Sequence, residues 1–285
     1  MRKIVTFLFL TCLAAVALSA PVWTVSARQG SDGEVYWRAE TDGLLRWELA
    51  DLTGDGRPDV ALFHSGEKIV RTEIDTNADG VADRVALFMP DRSVSHWRDA
   101  DGNGVLESAA APVNDSPAAV LYRRAVALRY AARDGQFPAH EGELPPVTPP
   151  FTRPIGTAVS VQMRLSLLST DGASRRNPQD VGLVQFEAAP GRGEHLVVPV
   201  SINAEGVAAQ AGTLDLMTYA VWCEKSSEKR LRLEAAGRLV VGDSLNEELF
   251  FVVDLTEETT SALHMPLADG SGNASRSLLV EIRRR

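Results

Sequence analysis

Cysteine is nearly missing from this chain. It has two in 285 residues, Cys12 and Cys223. Cys12 falls inside the apolar run Ile4 to Leu18, so removal of that segment would leave one thiol and exclude an internal disulfide. Aromatic residues are sparse at 6%, and the five histidines are scattered, which argues against a zinc or copper site built from clustered imidazoles and thiolates. No Gly-rich phosphate loop, HExxH helix or G-x-S-x-G elbow is present; "GASRR", "GDSLN" and "DGSGN" each miss the last pattern. Long apolar stretches stop at Leu18, and that run of about 15 residues falls short of the ~20 a spanning helix needs.

The apolar run follows Arg2 and Lys3 and precedes "SAPVWTVSA", where Val25 and Ala27 suit a signal-peptidase site. Residues 1–27 are therefore expected to be a cleaved export signal, giving a secreted or periplasmic chain with no transmembrane segment after cleavage. The "FLT" before Cys12 is a poor lipoprotein box. Without Arg2 and Lys3 there are 27 basic against 38 acidic residues, a formal charge of −11. That balance argues against nucleic acid and anionic lipid as main partners. With 45% hydrophobic residues, the chain can still fill one or two cores.

Acidic residues are abundant, and they recur. "DLTGDGRPD" (51–59), "DTNADGVAD" (75–83) and "DADGNGVLE" (99–107) begin 24 residues apart, and "VALF" follows the first and second of them. This is an internal repeat. Between the acidic stretches lie short β-prone runs around polar turns, and "EVYWRAETDGLLRWELAD" repeats the arrangement upstream. Residues 28–110 are expected to form β-hairpins joined by acidic loops.

Positions 1, 3, 5 and 9 of each loop carry only oxygen donors: Asp51, Thr53, Asp55 and Asp59; Asp75, Asn77, Asp79 and Asp83; Asp99, Asp101, Asn103 and Glu107. Position 6 is always glycine, and position 7 (Arg57, Val81, Val105) would offer a carbonyl. Alternating oxygen donors in a tight turn suit Ca²⁺, which takes six to eight hard ligands at flexible distances. A helix-loop-helix hand is excluded, because position 12 is Leu62, Ala86 or Ala110 instead of Glu, and the first two copies continue as strands. The metal-free alternative is a set of Asp/Gly turns capping the hairpins. Against it stands the charge: 12 acidic and 6 basic residues between 51 and 107.

"DLTGDGRPDVALF" resembles the acidic loop and following strand of FG-GAP and VCBS-type repeats. The likeness covers residues 51–107. It implies bound calcium, with a ligand role for the twelve side chains named above. Ala78 departs from the usual glycine, and a 24-residue unit is shorter than a four-stranded propeller blade.

Ser116 as N-cap, Pro117 at the first helical position and Gly135 as a stop predict a helix of about 17 residues within 111–136. Its apolar stripe is Val120, Leu121, Ala125, Leu128 and Ala132, with Arg123, Arg124, Arg129 and Arg133 on the surface, and it is expected to pack on its own hairpin sheet. Residues 137–154 hold six of the 15 prolines and read as a stiff linker. Beyond it, about eight alternating runs predict an antiparallel β-sandwich over 155–285. His195 beside Glu194 is expected at a solvated strand start, and Cys223, Tyr219, Trp222, Phe250 and Phe251 in the core.

The whole reads as mainly β: calcium-loop hairpin repeats, one helix, a Pro-rich linker and a sandwich. The function expected is that of an exported, non-enzymatic calcium-binding protein of structural, adhesion or recognition type, bacterial by its loop resemblance, whose sandwich binds an unknown protein or carbohydrate. The alternative is a secreted enzyme with an unrecognised site in the sandwich.

Overall fold

The computed structural model describes residues 22–142, 156–169, 179–202, 210–225, 228–242, 245–256, 260–267 and 276–285. Among the described residues the chain is mainly β with a single helix. An antiparallel meander of eight strands comes first: β1 (Trp23–Gln29), β2 (Val35–Thr41), β3 (Leu44–Asp51), β4 (Val60–Ser65), β5 (Lys68–Ile74), β6 (Arg84–Phe88), β7 (Val94–Arg98) and β8 (Val105–Ala109). The first two acidic stretches join one hairpin to the next and the third joins β7 to β8, and the tight β2–β3 turn has Asp42 and Gly43 both at positive φ (49° and 77°), as a type I′ turn requires.

Helix α1 (Pro117–Arg133) follows, capped as its sequence predicts: the Ser116 hydroxyl accepts from the Ala119 amide, and Gly135 sits at φ 72° after the C-cap. Then come β9 (Val159–Ser169), β10 (Gln179–Ala188), β11 (Arg192–Ile202), β12 (Gln210–Lys225), β13 (Glu228–Val241), β14 (Leu245–Leu255), β15 (Thr260–Leu267) and β16 (Arg276–Arg284).

β9, β10, β15 and β16 form one sheet in the order β10-β9-β16-β15. It packs on β12–β14 through a shared core that includes Met163, Leu165, Leu216, Leu233, Phe251 and Val280. This is the expected sandwich. The meander does not stand apart from it. β8 pairs in parallel with β12 (Val105↔Trp222 to Glu107↔Glu224), beyond the stretch where β11 occupies the same edge, so β1–β8 and β11–β14 form one 12-stranded sheet.

That sheet folds over itself. On β12 the even residues Leu214 and Leu216 face the sandwich core, while Met217 and Tyr219 pack with Trp37, Trp47 and Phe63 of the meander. Val221 and Cys223 pack with Val85, Leu87 and Trp97. The opposite face of β2–β5 (Tyr36, Ala50, Val60, Leu62, Ile74) meets Ala118, Ala125, Leu128 and Ala132 of α1. Four layers result: helix, meander, central sheet and outer sheet. With both faces covered, β12 loses the plain in-out alternation of a half-wet strand.

Three local expectations need correction. A cut after Ala27 would fall inside β1, whose seven residues pair with β2 and whose Ala27 is buried. Arg129 is buried and Val120 is exposed: the helix buries 125, 128, 129 and 132, an i, i+3, i+4, i+7 set that includes the arginine because Glu48 waits beneath it. In the proline-rich stretch, Pro138 and His140 hydrogen bond the backbone of β1, and residues 143–155 lie outside the described residues.

Candidate metal loops

The three acidic loops share one backbone course. Position 4 is left-handed in each (Gly54 77°, Ala78 58°, Gly102 72°), and so is position 6 (Gly56 85°, Gly80 86°, Gly104 78°). Two such turns in three residues curl the chain around its first side chain, which is why glycine recurs at position 6. The position 1 carboxylate then accepts from the position 6 amide in all three: Asp51 from Gly56 at 2.8 Å, Asp75 from Gly80 at 2.7 Å, Asp99 from Gly104 at 2.8 Å. Ala78 alone carries a Cβ into this region, at a cost of about 1–2 kcal/mol. Ala78→Gly is therefore expected to raise the unfolding free energy by about 0.5–1 kcal/mol after allowing for the greater freedom of the unfolded glycine, read from the urea midpoint.

The remaining donors close each loop locally. Asp51 also accepts from the Thr53 and Gly54 amides, and Thr53 Oγ1 lies 3.3 Å from it. Asp55, Asp79 and Asn103 each accept from the amide two residues on, at Arg57, Val81 and Val105. Asn77 accepts from Asp79, and Asp101 from Asn103. At position 9, Asp59 accepts from Leu52 and Thr53, and Asp83 from both groups of Thr76. Glu107 differs: the third loop enters β8 at Val105, so its position 9 is a strand residue opposite Arg98.

The loops are stacked in register. The Asp75 amide donates to the Asp59 carbonyl and the Asp99 amide to the Asp83 carbonyl, both at 2.9 Å, so the last residue of one loop holds the first of the next. Arg57 adds a bond to the Asp79 carbonyl at 3.3 Å. Burial falls along the stack: Asp51 and Asp75 are buried, Asp99 only half so. Burial pushes the carboxyls of Asp59 and Asp83 above the usual aspartate range, although amide or hydroxyl donors pull each of them down.

Whether these residues suit a hard cation can be weighed directly. The donor set is oxygen only, the position 9 carboxyls of the first two loops are held where an ionised form is disfavoured, and the side chains at positions 3 and 5 are exposed and free of tertiary packing. An oxygen accepting one amide bond keeps a second lone pair. On the other side, among the described residues no three His, Cys, Asp or Glu side chains converge on one centre. The loops as they stand are closed by their own amides, which is also the form of the metal-free alternative.

A second group of functional-looking residues was not visible in sequence. Glu48 is fully buried and receives Tyr36 Oη, His64 Nε2 at 2.8 Å and Arg129 Nε at 2.5 Å. Arg71 is held by Glu73 and by both oxygens of Glu234 at 2.6 Å. His195 donates from Nε2 to Asp215 at 2.8 Å with its side chain 7% exposed, so it is not solvated as expected: Trp23 and the β12 carboxylate enclose it. Cys223 is buried as expected, its thiol pushed up to about 11 by that burial. The Glu48–Arg129, Arg71–Glu234 and Arg46–Asp215 pairs join layers. No family model matches this chain, and no curated protein or solved structure matches it either.

Proposed function

We propose that the protein is an exported calcium-binding protein of structural or recognition type, in which calcium stabilises the loop stack and the sandwich carries the surface for a protein or carbohydrate partner. It is read as non-enzymatic. The observation that carries the proposal is the threefold recurrence, in register, of the same left-handed turns around the same oxygen donors. Asp51, Thr53, Asp55, Asp59 and the Arg57 carbonyl would hold one ion; Asp75, Asn77, Asp79, Asp83 and the Val81 carbonyl a second; Asp99, Asp101, Asn103, Glu107 and the Val105 carbonyl a third. The resemblance to FG-GAP and VCBS-type loops supports the same ion.

When bound, calcium supplies charge neutralisation where 12 acidic residues crowd 6 basic ones. The third site is the weakest in this reading, since Glu107 belongs to β8. Export rests on the apolar segment before residue 22, with processing upstream of Trp23 so that β1 is kept. A cleft of about 680 Å³ lined by Gln162, Arg164, Leu183, Ser201, Glu281 and Arg283 is the recognition surface this reading favours.

Calorimetric titration of the calcium-free chain should give dissociation constants of about 10⁻⁴ to 10⁻³ M. At ten times such a constant each site adds about 1.4 kcal/mol. Asp79→Ala, an exposed change, is expected to remove one site's share of the calcium-dependent rise in Tm while leaving the chelator-treated Tm nearly unchanged. Equal melting of both chains with calcium and with chelator would overturn the proposal.

A further inference from the structure

A groove opens between the first turn of α1 and the outer face of the β6–β7 hairpin, where the helix has left the meander uncovered. Its inner part, about 280 Å³, is lined by Ile74, Ala86, Phe88, Val94, Ala119 and Tyr122. Its outer part, about 570 Å³, is lined by Thr76, Arg84, Arg98, Ser108, Ser116 and Pro112. Arg84, Ala110, Pro112 and Ala118 border both, so an apolar pocket runs into a polar one.

The polar part is positively charged by construction. Arg84 and Arg98 are direct cross-strand partners in the β6–β7 register, a placement in which like charges repel. Neither forms an ion pair among the described residues, in a chain with 38 acidic side chains. The nearby acids hydrogen bond elsewhere, Asp83 to Thr76 and Asp99 to the Asn103 and Gly104 amides, although Arg84 is near enough to Asp83 to help pull its carboxyl down. Glu107 is the cross-strand neighbour of Arg98 but makes no ion pair with it.

The start of α1 faces the same space through Ser116, Pro117 and Ala118, with no acidic residue in its first turn, so the positive end of the helix adds to the two guanidinium groups. His96, on the inner wall, is held below its usual range by burial first and by Arg84 second, a sign that this positive field reaches the apolar part. An anion would relieve two arginines kept face to face without an ion pair, and the adjoining apolar wall offers cover to a nonpolar body. Ligand sites of this size combine those features.

We propose that this groove binds a small amphiphilic anion, its carboxylate, sulfate or phosphate head between Arg84 and Arg98 and its hydrocarbon or ring against Phe88, Val94 and Tyr122. The groove borders the loops, since Arg84 follows Asp83, Arg98 precedes Asp99 and Thr76 bonds Asp83, but no loop donor lines it.

The test is calorimetric titration of the full chain, with chelator present, using octanoate, octanol and inorganic phosphate as probes. Octanoate is expected to bind at least tenfold more tightly than either of the others, because only it meets both halves of the groove. Arg84→Gln and Arg98→Gln should each weaken octanoate about tenfold, the loss expected for one charge-assisted hydrogen bond, and leave octanol unchanged. Ala119→Leu, which fills the apolar part, should weaken octanoate and octanol together. Because Arg84→Gln removes a like-charge pair, its Tm should match or exceed that of the parent, which separates lost binding from lost folding. Octanoate binding that survives both glutamine variants, no octanoate binding at millimolar concentration, or binding only to phosphatidylglycerol vesicles would overturn the proposal.

Discussion

Arg71→Met is expected to lower the unfolding free energy by about 3–5 kcal/mol, the range for breaking a buried ion pair from one side. Arg71 is 1% exposed and bridges Glu73 and Glu234, which come from the meander and from β13. Burial opposes its charge, but the two carboxylates outweigh that and hold the guanidinium firmly protonated. Methionine would take a charged partner from both carboxylates at a site away from water. Urea unfolding would read the loss. The combined variant Arg71→Met, Glu73→Gln, Glu234→Leu should recover much of it, since removing a buried charge cluster whole is far cheaper than removing half. A combined variant as unstable as Arg71→Met would mean the loss came from packing and not from orphaned charge.

Glu48→Leu is the second large effect, again about 3–5 kcal/mol, because it strands Arg129 and takes the acceptor from His64 and Tyr36 at once. The same residue gives the fold an acid-sensitive joint. Burial raises the Glu48 carboxyl, but His64, Tyr36 and Arg129 more than reverse that, and its value ends below the ordinary range. A carboxyl depressed in the folded state contributes its full stability above the unfolded value of about 4.3, and that contribution is lost as pH falls through the folded value. Asp215 has the same sign: burial raises it, and His195 and Arg46 bring it lower. Unfolding midpoints followed from pH 7 to pH 3 should therefore hold level and then fall below about pH 4.3, and Glu48→Leu should flatten part of that fall. A variant with the parent's full acid dependence would remove Glu48 from the account.

What could be read from the chain before folding was local. The cap at Ser116 and the stop at Gly135 depend on residues within a turn of each other, and the helix obeys them. The β-hairpins and the sandwich strands followed from alternation and turn residues. The loop course was legible too, since Gly56, Gly80 and Gly104 occupy the left-handed positions expected of them. The layering was not legible. Arg71 and Glu73 alternate with Val70 and Thr72 in "IVRTEI", a pattern that normally puts charge toward water. Here the charged side faces β13, and nothing near residue 71 announces Glu234. Arg129 reads as a surface residue for the same reason: its partner Glu48 is 81 residues away. The groove at Arg84 and Arg98 depends on where α1 stops covering the meander, which no periodicity encodes.

The parallel pairing of β8 with β12 also governs the order in which the polypeptide becomes whole during synthesis. The meander leaves the ribosome first, yet Trp37, Trp47, Phe63 and Arg71 acquire their cover only when residues 210–241 have been translated. Until then a nascent chain displays aromatic surface and a lone buried-type cation, the condition under which slow, high-contact-order β proteins aggregate. A ribosome-stalled fragment ending near residue 142 should thus bind a holdase chaperone that the completed chain ignores.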